Sequence, residues 1–519
     1  MNRYLTQRFV LYALFIIAIV LAGIQFLSDR GVWLDEAVLT LNLIHRNAVG
    51  LVRPLDYNGV APVLFLLIQK AFISLVPKSD YALKVFPLIC YLAFLPLFAR
   101  ILSRLFKSIY SIILGLSLVI FNQTIIYYSS EAKQYIVDLL VITIFYYLLI
   151  EENALKGFYY KLLVLGLICI YLSNITPIIL LTVDVYLFYK SRSENRPLGR
   201  HFIITNLCWG VFFALYYFVF IYSHPTQHKM VGYWSNAGAF MPLDSSFWGW
   251  IAGRFHGIFY FLFYFGQLIG SCILVLFGLG VILLVRYRRY DLMILTLLPV
   301  CVHLVLSGLK LYPFETRLYL YLTPGLVITC VFSYDFLVTR LSHLRFGKAV
   351  GFIFLLLPAL MARVVFIHQP PYTQHDDIKR GIETINKKFE KDDALYTGNL
   401  TGLPVKYYKD LGVIDRRLDV IYKDSLLNTH CPYAVKRLWV LTYSVEDQPQ
   451  ELSELLKSRQ LIKKDSFETR GGVRFSLFAQ GNALVQKNRC HKIELNYCKS
   501  RVYHAFCRRC MPAPDGGFP

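Results

Sequence analysis

The stretch FVLYALFIIAIVLAGIQFL, from Phe9 to Leu27, decides the fold class of this chain. It is long enough to cross a bilayer as one helix and lacks the small-residue cleavage pattern of a signal peptide, so we expect an uncleaved membrane helix. The whole 519-residue chain has 56% hydrophobic and 17% charged residues and a mean hydropathy of +0.49. This composition excludes a soluble fold and predicts a polytopic membrane protein.

Further apolar runs predict an all-α membrane domain of about 11 transmembrane helices. Short basic clusters, such as Arg100 with Arg104, follow every second run, and the positive-inside rule makes these clusters cytoplasmic. We therefore read the net charge of +21 mainly as a topology signal, with some charge left for an anionic ligand, and we predict no nucleic-acid partner. The predicted spans are residues 9–27, 81–102, 109–128, 136–150, 162–172, 178–189, 202–222, 256–285, 292–309, 318–338 and 349–367.

Residues 60–76 form an apolar run that we do not count as a span. The run is short, has Pro62 near its start and carries Gln69 and Lys70, which favours a juxtamembrane or re-entrant helix in the first outer loop. A crossing here would also invert the alternation of basic loops. With this assignment, the first outer loop, the end of the span at residue 128 and everything after residue 368 face outward.

The composition changes near residue 369. We predict three regions: a transmembrane domain at residues 1–368, a small extracytoplasmic α/β domain at residues 369–480, and a tail at residues 481–519. The predicted elements of the α/β domain are helices at residues 376–389 and 449–459 and strands at residues 394–397, 438–444 and 473–478.

The tail contains four cysteines. Cys507 and Cys510 form a CxxC pair, but the other spacings match no common zinc module, so we predict no metal site and a disordered or atypical tail. Most of the other cysteines lie in or beside apolar runs, where a thiol is usually a small buried hydrophobe, and they imply no disulfide framework.

Two acidic motifs stand at outer ends of predicted spans. Asp35 and Glu36 follow the first span, and Glu131 follows the span that ends at residue 128. Carboxylates that share one membrane face suit acid/base chemistry. The alternatives are that Asp35 and Glu36 only end a helix in a solvated loop, and that Glu131 forms a surface ion pair with Lys133 or Arg53.

Four motifs together resemble the GT-C superfamily of membrane glycosyltransferases. The resemblance is to the bacterial branch related to protein O-mannosyltransferases and to the aminoarabinose transferase of lipid A. It covers residues 9–150 well, reappears at residues 311–318 and is weak at residues 376–408. The motifs are Trp33-Leu34-Asp35-Glu36, Tyr57-Asn58-Gly59-Val60-Ala61-Pro62, Tyr128-Ser129-Ser130-Glu131-Ala132-Lys133 and Leu311-Tyr312-Pro313-Phe314-Glu315-Thr316-Arg317-Leu318.

The resemblance implies transfer of a sugar from a polyprenyl-phosphate carrier to a glycan, lipid or protein acceptor on the outer face of the inner (plasma) membrane. Asp35 matches the candidate general base, with Glu36 beside it, and Glu131 matches the second acidic position. Relatives place a basic residue or histidine where this chain has Ala61, so another cation must meet the donor phosphate. Arg53, Lys133 and Arg317 are the candidates. We predict no tightly bound cofactor, and the sequence does not indicate whether a divalent metal assists.

Two other classes of protein remain open. A transporter or flippase of lipid-linked sugars typically has inverted repeats, broken helices and charges at the bilayer midplane, whereas the charged motifs here lie at the outer interface. A non-catalytic cell-envelope assembly protein would need neither the carboxylates nor the basic residues.

Overall fold

The structure is a computed structural model that describes most of the chain. The described residues are 2–28, 30–76, 79–152, 157–195, 197–222, 224–225, 227–262, 267–340, 345–367, 377–391, 393–423, 436–443, 450–469 and 472–480. The predicted tail at residues 481–519 lies outside this part of the chain.

Helices dominate the first 367 residues. Six of the described helices are long and apolar enough to cross a membrane, the first of them at Phe9–Leu27, and the protein is a multi-pass membrane protein. The number of spans stays a prediction, because five further apolar helices are shorter. The helices are α1 (Asn2–Leu27), α2 (Leu34–His45), α3 (Val63–Leu75), α4 (Asp80–Leu105), α5 (Ile109–Ile120), α6 (Gln123–Tyr128), α7 (Tyr135–Ile150), α8 (Phe158–Leu172), α9 (Thr176–Ser193), α10 (Arg200–Tyr216), α11 (Gln227–Asn236), α12 (Phe247–Leu262), α13 (Gln267–Arg286), α14 (Tyr290–Gly308), α15 (Thr323–Arg340) and α16 (Arg345–Ile367).

Two predicted spans are divided in the structure. The span at residues 109–128 consists of α5 and α6, because the Asn122 side chain accepts a hydrogen bond from Ile125 N at 3.0 Å and so caps a new helix. The span at residues 256–285 consists of the end of α12 and most of α13, and residues 263–266 between them are not described. The apolar run at residues 60–76 contains a helix, α3, and its juxtamembrane position stays a prediction.

The interior of the helical part is formed mainly by α5, α6 and α7. All residues from 129 to 139 are buried. α7 packs against α4, while α5 packs against α15, so the turn between α6 and α7 lies inside the protein and not on its surface.

The C-terminal part is an α/β fold with a five-stranded mixed sheet of order β2-β1-β3-β5-β4. β1 runs parallel to β2 and β3, and β5 is antiparallel to β3 and β4. The predicted elements of this domain are all present. α18, β2 and β4 were not predicted. The elements are α17 (Ile378–Lys388), β1 (Asp393–Thr397), α18 (Asn399–Asp410), β2 (Asp419–Tyr422), β3 (Arg437–Tyr443), α19 (Gln450–Ser458), β4 (Leu461–Thr469) and β5 (Val473–Gln480).

Packing divides the chain into two compact units. The larger unit holds most of the first 367 residues, and the smaller unit holds the C-terminal α/β fold. Two short segments from the N-terminal part, Arg30–Ala37 and Lys229–Ala239, belong to the smaller unit. The predicted boundaries at residues 368 and 480 lie at or next to residues outside the described part, and they stay predictions.

Candidate active site

The segment Arg30–Ala37 carries the first acidic motif. α1 ends at Leu27, and α2 begins at Leu34. Asp35 and Glu36 therefore occupy the first turn of α2, where carboxylates are favoured because the backbone N–H groups carry partial positive charge. The pair begins a helix and does not end one in a solvated loop, and a purely structural role for it stays open.

Glu36 is fully engaged by Arg30. The two side chains form a bidentate pair, with Arg30 Nη1 to Glu36 Oε2 and Arg30 Nη2 to Glu36 Oε1 both at 2.8 Å. Arg30 is 5% exposed and Glu36 is 1% exposed, so both charges are removed from water. Such a pair holds only with good geometry, which the planar guanidinium fork supplies. Glu36 therefore fixes the loop in front of α2.

Asp35 differs from its neighbour in exposure. It is half-buried, whereas Glu36 is buried. Successive residues in a helix point about 100° apart, so the inward turn of Glu36 directs Asp35 elsewhere. Of the two carboxylates, Asp35 is the one that a solvent-borne or lipid-borne substrate can reach.

Arg30 is a residue that the sequence reasoning missed. It precedes Glu36 by six positions, outside the three- or four-residue spacing that marks an ion pair on a helix. It also lies in a loop, where periodicity gives no facing information. The sequence offers one signal that points to Arg30: no other basic residue lies close before the acidic motif.

The second acidic motif lies in the buried turn between α6 and α7. Glu131 is 0% exposed, and Lys133 is 9% exposed. Lys133 N donates to the Glu131 carbonyl oxygen at 2.7 Å, which makes the turn tight. Glu131 has no exposed surface, so a pair with Lys133 would be a buried contact and not the surface ion pair of the alternative explanation. A charge this deep needs polar compensation, and the buried Lys133 carries the opposite sign two residues away.

Aromatic rings surround this turn. Tyr128 packs edge-on against Tyr127 and Tyr135, with both pairs of ring centroids 5.1 Å apart. The Ser129 hydroxyl donates to the Ile126 carbonyl at 2.6 Å, so this polar group is satisfied within the turn. The carboxylate of Glu131 therefore belongs to an ordered, water-poor part of the larger unit.

Arg317 lies in a 3-10 helix, Thr316–Leu322, whose start is held by Glu315. Glu315 Oε1 accepts a hydrogen bond from Thr316 N at 2.9 Å, and its Oε2 pairs with Arg254 of α12 at 2.6 Å. Arg317 itself is half-buried. Arg254 is a second cation that the sequence reasoning missed, because its partner lies 61 residues away.

The segment before Arg317 is also anchored. The His303 ring of α14 lies 3.0 Å from the Pro313 carbonyl oxygen through Nε2 and 3.1 Å from the Tyr321 hydroxyl through Nδ1. Phe314 packs edge-on against the same ring, with centroids 4.8 Å apart. The backbone that carries Arg317 is thus fixed on both sides.

Arg53 is exposed. It follows the 3-10 helix Gly50–Val52 and lines a shallow depression of about 540 Å³. Arg46 lines the same depression, but its guanidinium is paired with the Asp56 carboxylate. Arg46 Nε donates to it at 3.1 Å and Nη2 at 2.7 Å. Arg53 is therefore the arginine of this depression that is presented to solvent. The lining residues are His45, Arg46, Asn47, Gly50, Arg53 and Pro54.

The six candidate residues fall into two groups. Asp35 and Glu36 are adjacent in the smaller unit, whereas the other four candidates lie in the larger unit. Within the larger unit, α12 contacts both α6, next to the Glu131 turn, and the 3-10 helix that carries Arg317. Those two segments therefore share one neighbour, and Arg53 lies in a different place, between α2 and α3.

Lys84 is a third cation that the sequence reasoning missed. It lies in the second turn of α4, is 2% exposed and donates through Nζ to the Ser28 carbonyl oxygen at 3.2 Å. Its ammonium also lies 5.4 Å from the centre of the Tyr81 ring, a cation–π arrangement. Lys84 thus ties the start of α4 to the chain that follows α1.

No group of three or more metal-ligating side chains occurs among the residues that the structure describes. The four cysteines of the predicted tail lie outside those residues.

The chain is similar to the crystal structure of ArnT from Cupriavidus metallidurans bound to undecaprenyl phosphate, with a TM-score of 0.49 and 9% identity, covering 94% of this chain and 99% of that chain. For the apo crystal structure of the same protein the TM-score is 0.47 at 9% identity, covering 90% and 97%. No family model and no curated protein matches the chain. A likeness of this size carries no argument about residues or activity, which rest on the contacts of this chain.

Proposed function

We propose that this protein is a glycosyltransferase that moves a hexose or pentose from a polyprenyl-phosphate carrier to an acceptor on the outer, periplasmic face of the inner membrane. In this proposal Asp35 is the general base. The observation that carries it is the contrast within the acidic pair: Arg30 engages Glu36 in a buried bidentate contact, while Asp35 stays half-exposed at the start of α2.

The chemistry requires one bond to break and one to form at the sugar. The bond between C1 and the carrier phosphate oxygen breaks, and the phosphate leaves with the bonding electrons. The acceptor oxygen forms the new bond to C1, and its proton passes to the Asp35 carboxylate. The transition state resembles an oxocarbenium ion, so the reaction needs a base beside the acceptor and cations beside the leaving phosphate.

Cations for the leaving phosphate are available in the larger unit. Arg317 and Arg53 carry the planar fork that binds two phosphate oxygens, and Lys133 offers a compact point charge. Glu131, buried next to Lys133, would orient that ammonium and balance its charge. Glu315 and His303 anchor the backbone that carries Arg317, which supports a phosphate-binding role for Arg317. A guanidinium whose position is already fixed loses less entropy when it binds the phosphate.

The polyprenyl-phosphate donor is a substrate, and the proposed reaction has no step through a tightly bound cofactor or a metal. The acceptor is a glycan, a lipid or a protein with a free hydroxyl group at the outer face. The orientation follows from the alternating basic clusters. Cysteines introduced at Asn236 and at Ala48, an exposed position near the buried Asn42, should then react with an impermeant reagent from outside, and one at Ser191 should not.

The test compares surface glycans of cells that lack the protein with glycans of cells that carry either the wild type or Asp35→Asn. Mass spectrometry should show loss of one sugar residue in the absence of the protein, restoration by the wild type and no restoration by Asp35→Asn at equal membrane levels. Asp56→Asn, a carboxylate in an exposed ion pair with Arg46, is the matched control and should restore the glycan. Identical glycans in all four strains would overturn the proposal. If the purified protein moves lipid-linked sugar across the membrane of lipid vesicles but does not transfer the sugar to an acceptor, the result would indicate a transporter.

A further inference from the structure

The acidic loop contacts the C-terminal α/β fold directly, within the smaller unit. Val32 N donates a hydrogen bond to the Tyr408 hydroxyl at 2.6 Å, although the two residues are 376 positions apart in the chain. Val32 is 2% exposed, and Tyr408 is 0% exposed. A buried backbone N–H without this acceptor would cost about 1–3 kcal/mol, so the contact fixes the loop.

Gly31 brings the same loop against α17. A Cβ built at Gly31 would lie 3.0 Å from Lys379 Cβ, 3.2 Å from Lys379 N and 3.2 Å from the Tyr408 hydroxyl. These distances leave almost no room for a side chain. The absence of one at position 31 is therefore what lets the backbone approach both α17 and α18.

Tyr408 is itself held in place. It lies in the last turn of α18, and its carbonyl oxygen accepts a hydrogen bond from Val413 N at 2.9 Å. The start of α18 is fixed by Thr401, whose hydroxyl accepts from Gly398 N at 3.1 Å and lies 2.7 Å from the Thr397 hydroxyl at the end of β1. The tyrosine hydroxyl is thus presented to the loop from a helix that is tied to the central strands of the sheet.

The loop is clamped at two points on the way to Asp35. Tyr408 holds the backbone three residues before Asp35, and the Arg30–Glu36 pair connects the residues on either side of the loop. Since α2 begins at Leu34, these contacts set where its first turn starts and which way Asp35 points.

We infer that Tyr408 is a positioning residue. Its hydroxyl accepts the hydrogen bond from Val32 N–H, and through this contact the C-terminal α/β fold orients the Asp35 carboxylate. This inference rests on the proposed function of Asp35 as general base. A base that is displaced by a fraction of an ångström leaves substrate binding unchanged, but it meets the acceptor proton in fewer productive arrangements. Loss of the Tyr408 hydroxyl should therefore lower kcat and leave the KM for donor and acceptor unchanged.

The test measures transfer kinetics of the purified full chain in lipid vesicles for Tyr408→Phe and for the matched control Tyr396→Phe. Tyr396 is also fully buried in the same fold, in a cluster with Leu438 and Val440. We expect kcat to fall about tenfold in Tyr408→Phe, with unchanged KM, and less than about twofold in Tyr396→Phe. Gly31→Ala, which displaces the loop from the same two helices, should produce the same kcat effect.

A double-mutant cycle distinguishes positioning from general damage. If Tyr408 acts through Asp35, then Tyr408→Phe should lower kcat in the wild type and have no further effect in Asp35→Asn. Hydrogen exchange should also show faster exchange of the Val32 amide in Tyr408→Phe, with exchange in β1 and β3 unchanged.

The outcomes separate the two claims. Normal wild-type transfer with an unchanged kcat in Tyr408→Phe overturns the positioning role alone. Additive losses in Tyr408→Phe and Asp35→Asn overturn it as well, because they show that Tyr408 does not act through Asp35. A wild-type protein that transfers no sugar from any polyprenyl-phosphate donor overturns the proposed function, and the positioning role falls with it.

Discussion

Two acidic segments follow apolar helices in this chain, and they are held in opposite ways. The segment Arg30–Ala37 is fixed by contacts with residues hundreds of positions away, such as Tyr408. The turn that carries Glu131 is fixed by contacts within a few residues, such as the hydrogen bond from Ser129 to Ile126. The first segment leaves one carboxylate accessible, whereas the second is entirely buried.

On the proposed function, we expect this difference to separate a reactive carboxylate from a structural or electrostatic one. A loop that depends on distant partners can place a half-exposed side chain at a chosen point, and Asp35 is in that position. A fully buried carboxylate such as Glu131 meets no substrate oxygen without a rearrangement, so it suits a role in balancing the charge of Lys133. Substitutions in the two segments should therefore have different effects.

The largest effect should come from Asp35→Asn. The amide keeps the shape of the side chain but cannot accept a proton, and loss of a general base typically lowers the rate by about 10²–10⁴-fold. Initial rates of transfer at saturating donor measure this. Glu36→Gln should lower kcat less, because both oxygens of the Glu36 carboxylate are engaged by Arg30. A Glu36→Gln variant that loses more activity than Asp35→Asn would transfer the base role to Glu36.

Arg30→Ala should produce the largest loss of stability. Removing one member of a buried ion pair leaves the other charge uncompensated and costs about 3–5 kcal/mol. Ala37 N donates to the Trp33 carbonyl at 2.8 Å, so exchange of the Ala37 amide reports on opening of the first turn of α2. We expect much faster exchange at Ala37 in Arg30→Ala.

The double variant Arg30→Met with Glu36→Leu is the control for this prediction. It removes both charges and keeps apolar volume, so slow exchange at Ala37 should return. If Arg30→Ala alone exchanges as slowly as the wild type, the pair does not hold the loop, and the contrast between the two acidic segments is lost.

The features that the sequence predicted are those encoded in short windows. The amphipathic pattern of α17 and the apolar runs of β1 and β3 are local signals, and the structure contains all three elements. α18 was missed because Gly402 and Pro404 lie inside it, and both residues are unfavourable in helix interiors.

The edge strands were missed for a different reason. β4 has an almost entirely exposed sequence pattern, LIKKDSFET, and β2 is only four residues long, so neither shows the buried alternation that marks a strand. Each is recruited by a neighbour, β5 or β1, through backbone pairing. The local sequence of an edge strand does not contain that information.

The candidate site shows the same limit. The acidic motifs and the cations Arg53, Lys133 and Arg317 were selected from local patterns, and their roles stay predictions. The partners that give those motifs their geometry, Arg30 for Glu36 and Arg254 for Glu315, were not selected. Their contacts depend on loop conformation and on helix packing, which no window of the sequence determines.

Arg317→Ala should have an intermediate effect, on donor use. A hydrogen-bonded charged contact is worth about 1.5–3 kcal/mol, so the apparent KM for the polyprenyl-phosphate donor should rise at least about tenfold. Arg317→Lys should rescue only partly, because a point charge does not reproduce the bidentate fork. Arg192→Ala, at the predicted cytoplasmic end of α9, is the control. Wild-type donor kinetics in both Arg317→Ala and Arg53→Ala would leave Lys133 as the donor-phosphate candidate.

The smallest effect concerns the fold that carries Tyr408, and it depends on pH. Asp393, in β1, accepts hydrogen bonds from Trp439 Nε1 and Glu390 N at 3.0 and 3.1 Å and pairs with Arg437 Nε at 2.9 Å. Burial of the carboxyl outweighs these three contacts and raises its pKa. The folded protein therefore keeps this proton to a higher pH than the unfolded chain, whose aspartate pKa is about 3.9. The contribution of Asp393 to stability is fully present below that value and is lost as pH rises through the raised folded pKa, at no more than about 1.4 kcal/mol per pH unit.

Hydrogen exchange of the β1 and β3 amides between about pH 4 and 7, corrected for the intrinsic rate, should show this slope in the wild type and lose it in Asp393→Asn. Asp465→Asn, which removes an exposed carboxylate paired with Lys388, should keep the slope. If the slope persists in Asp393→Asn, another group sets the pH dependence of the fold that holds the acidic loop.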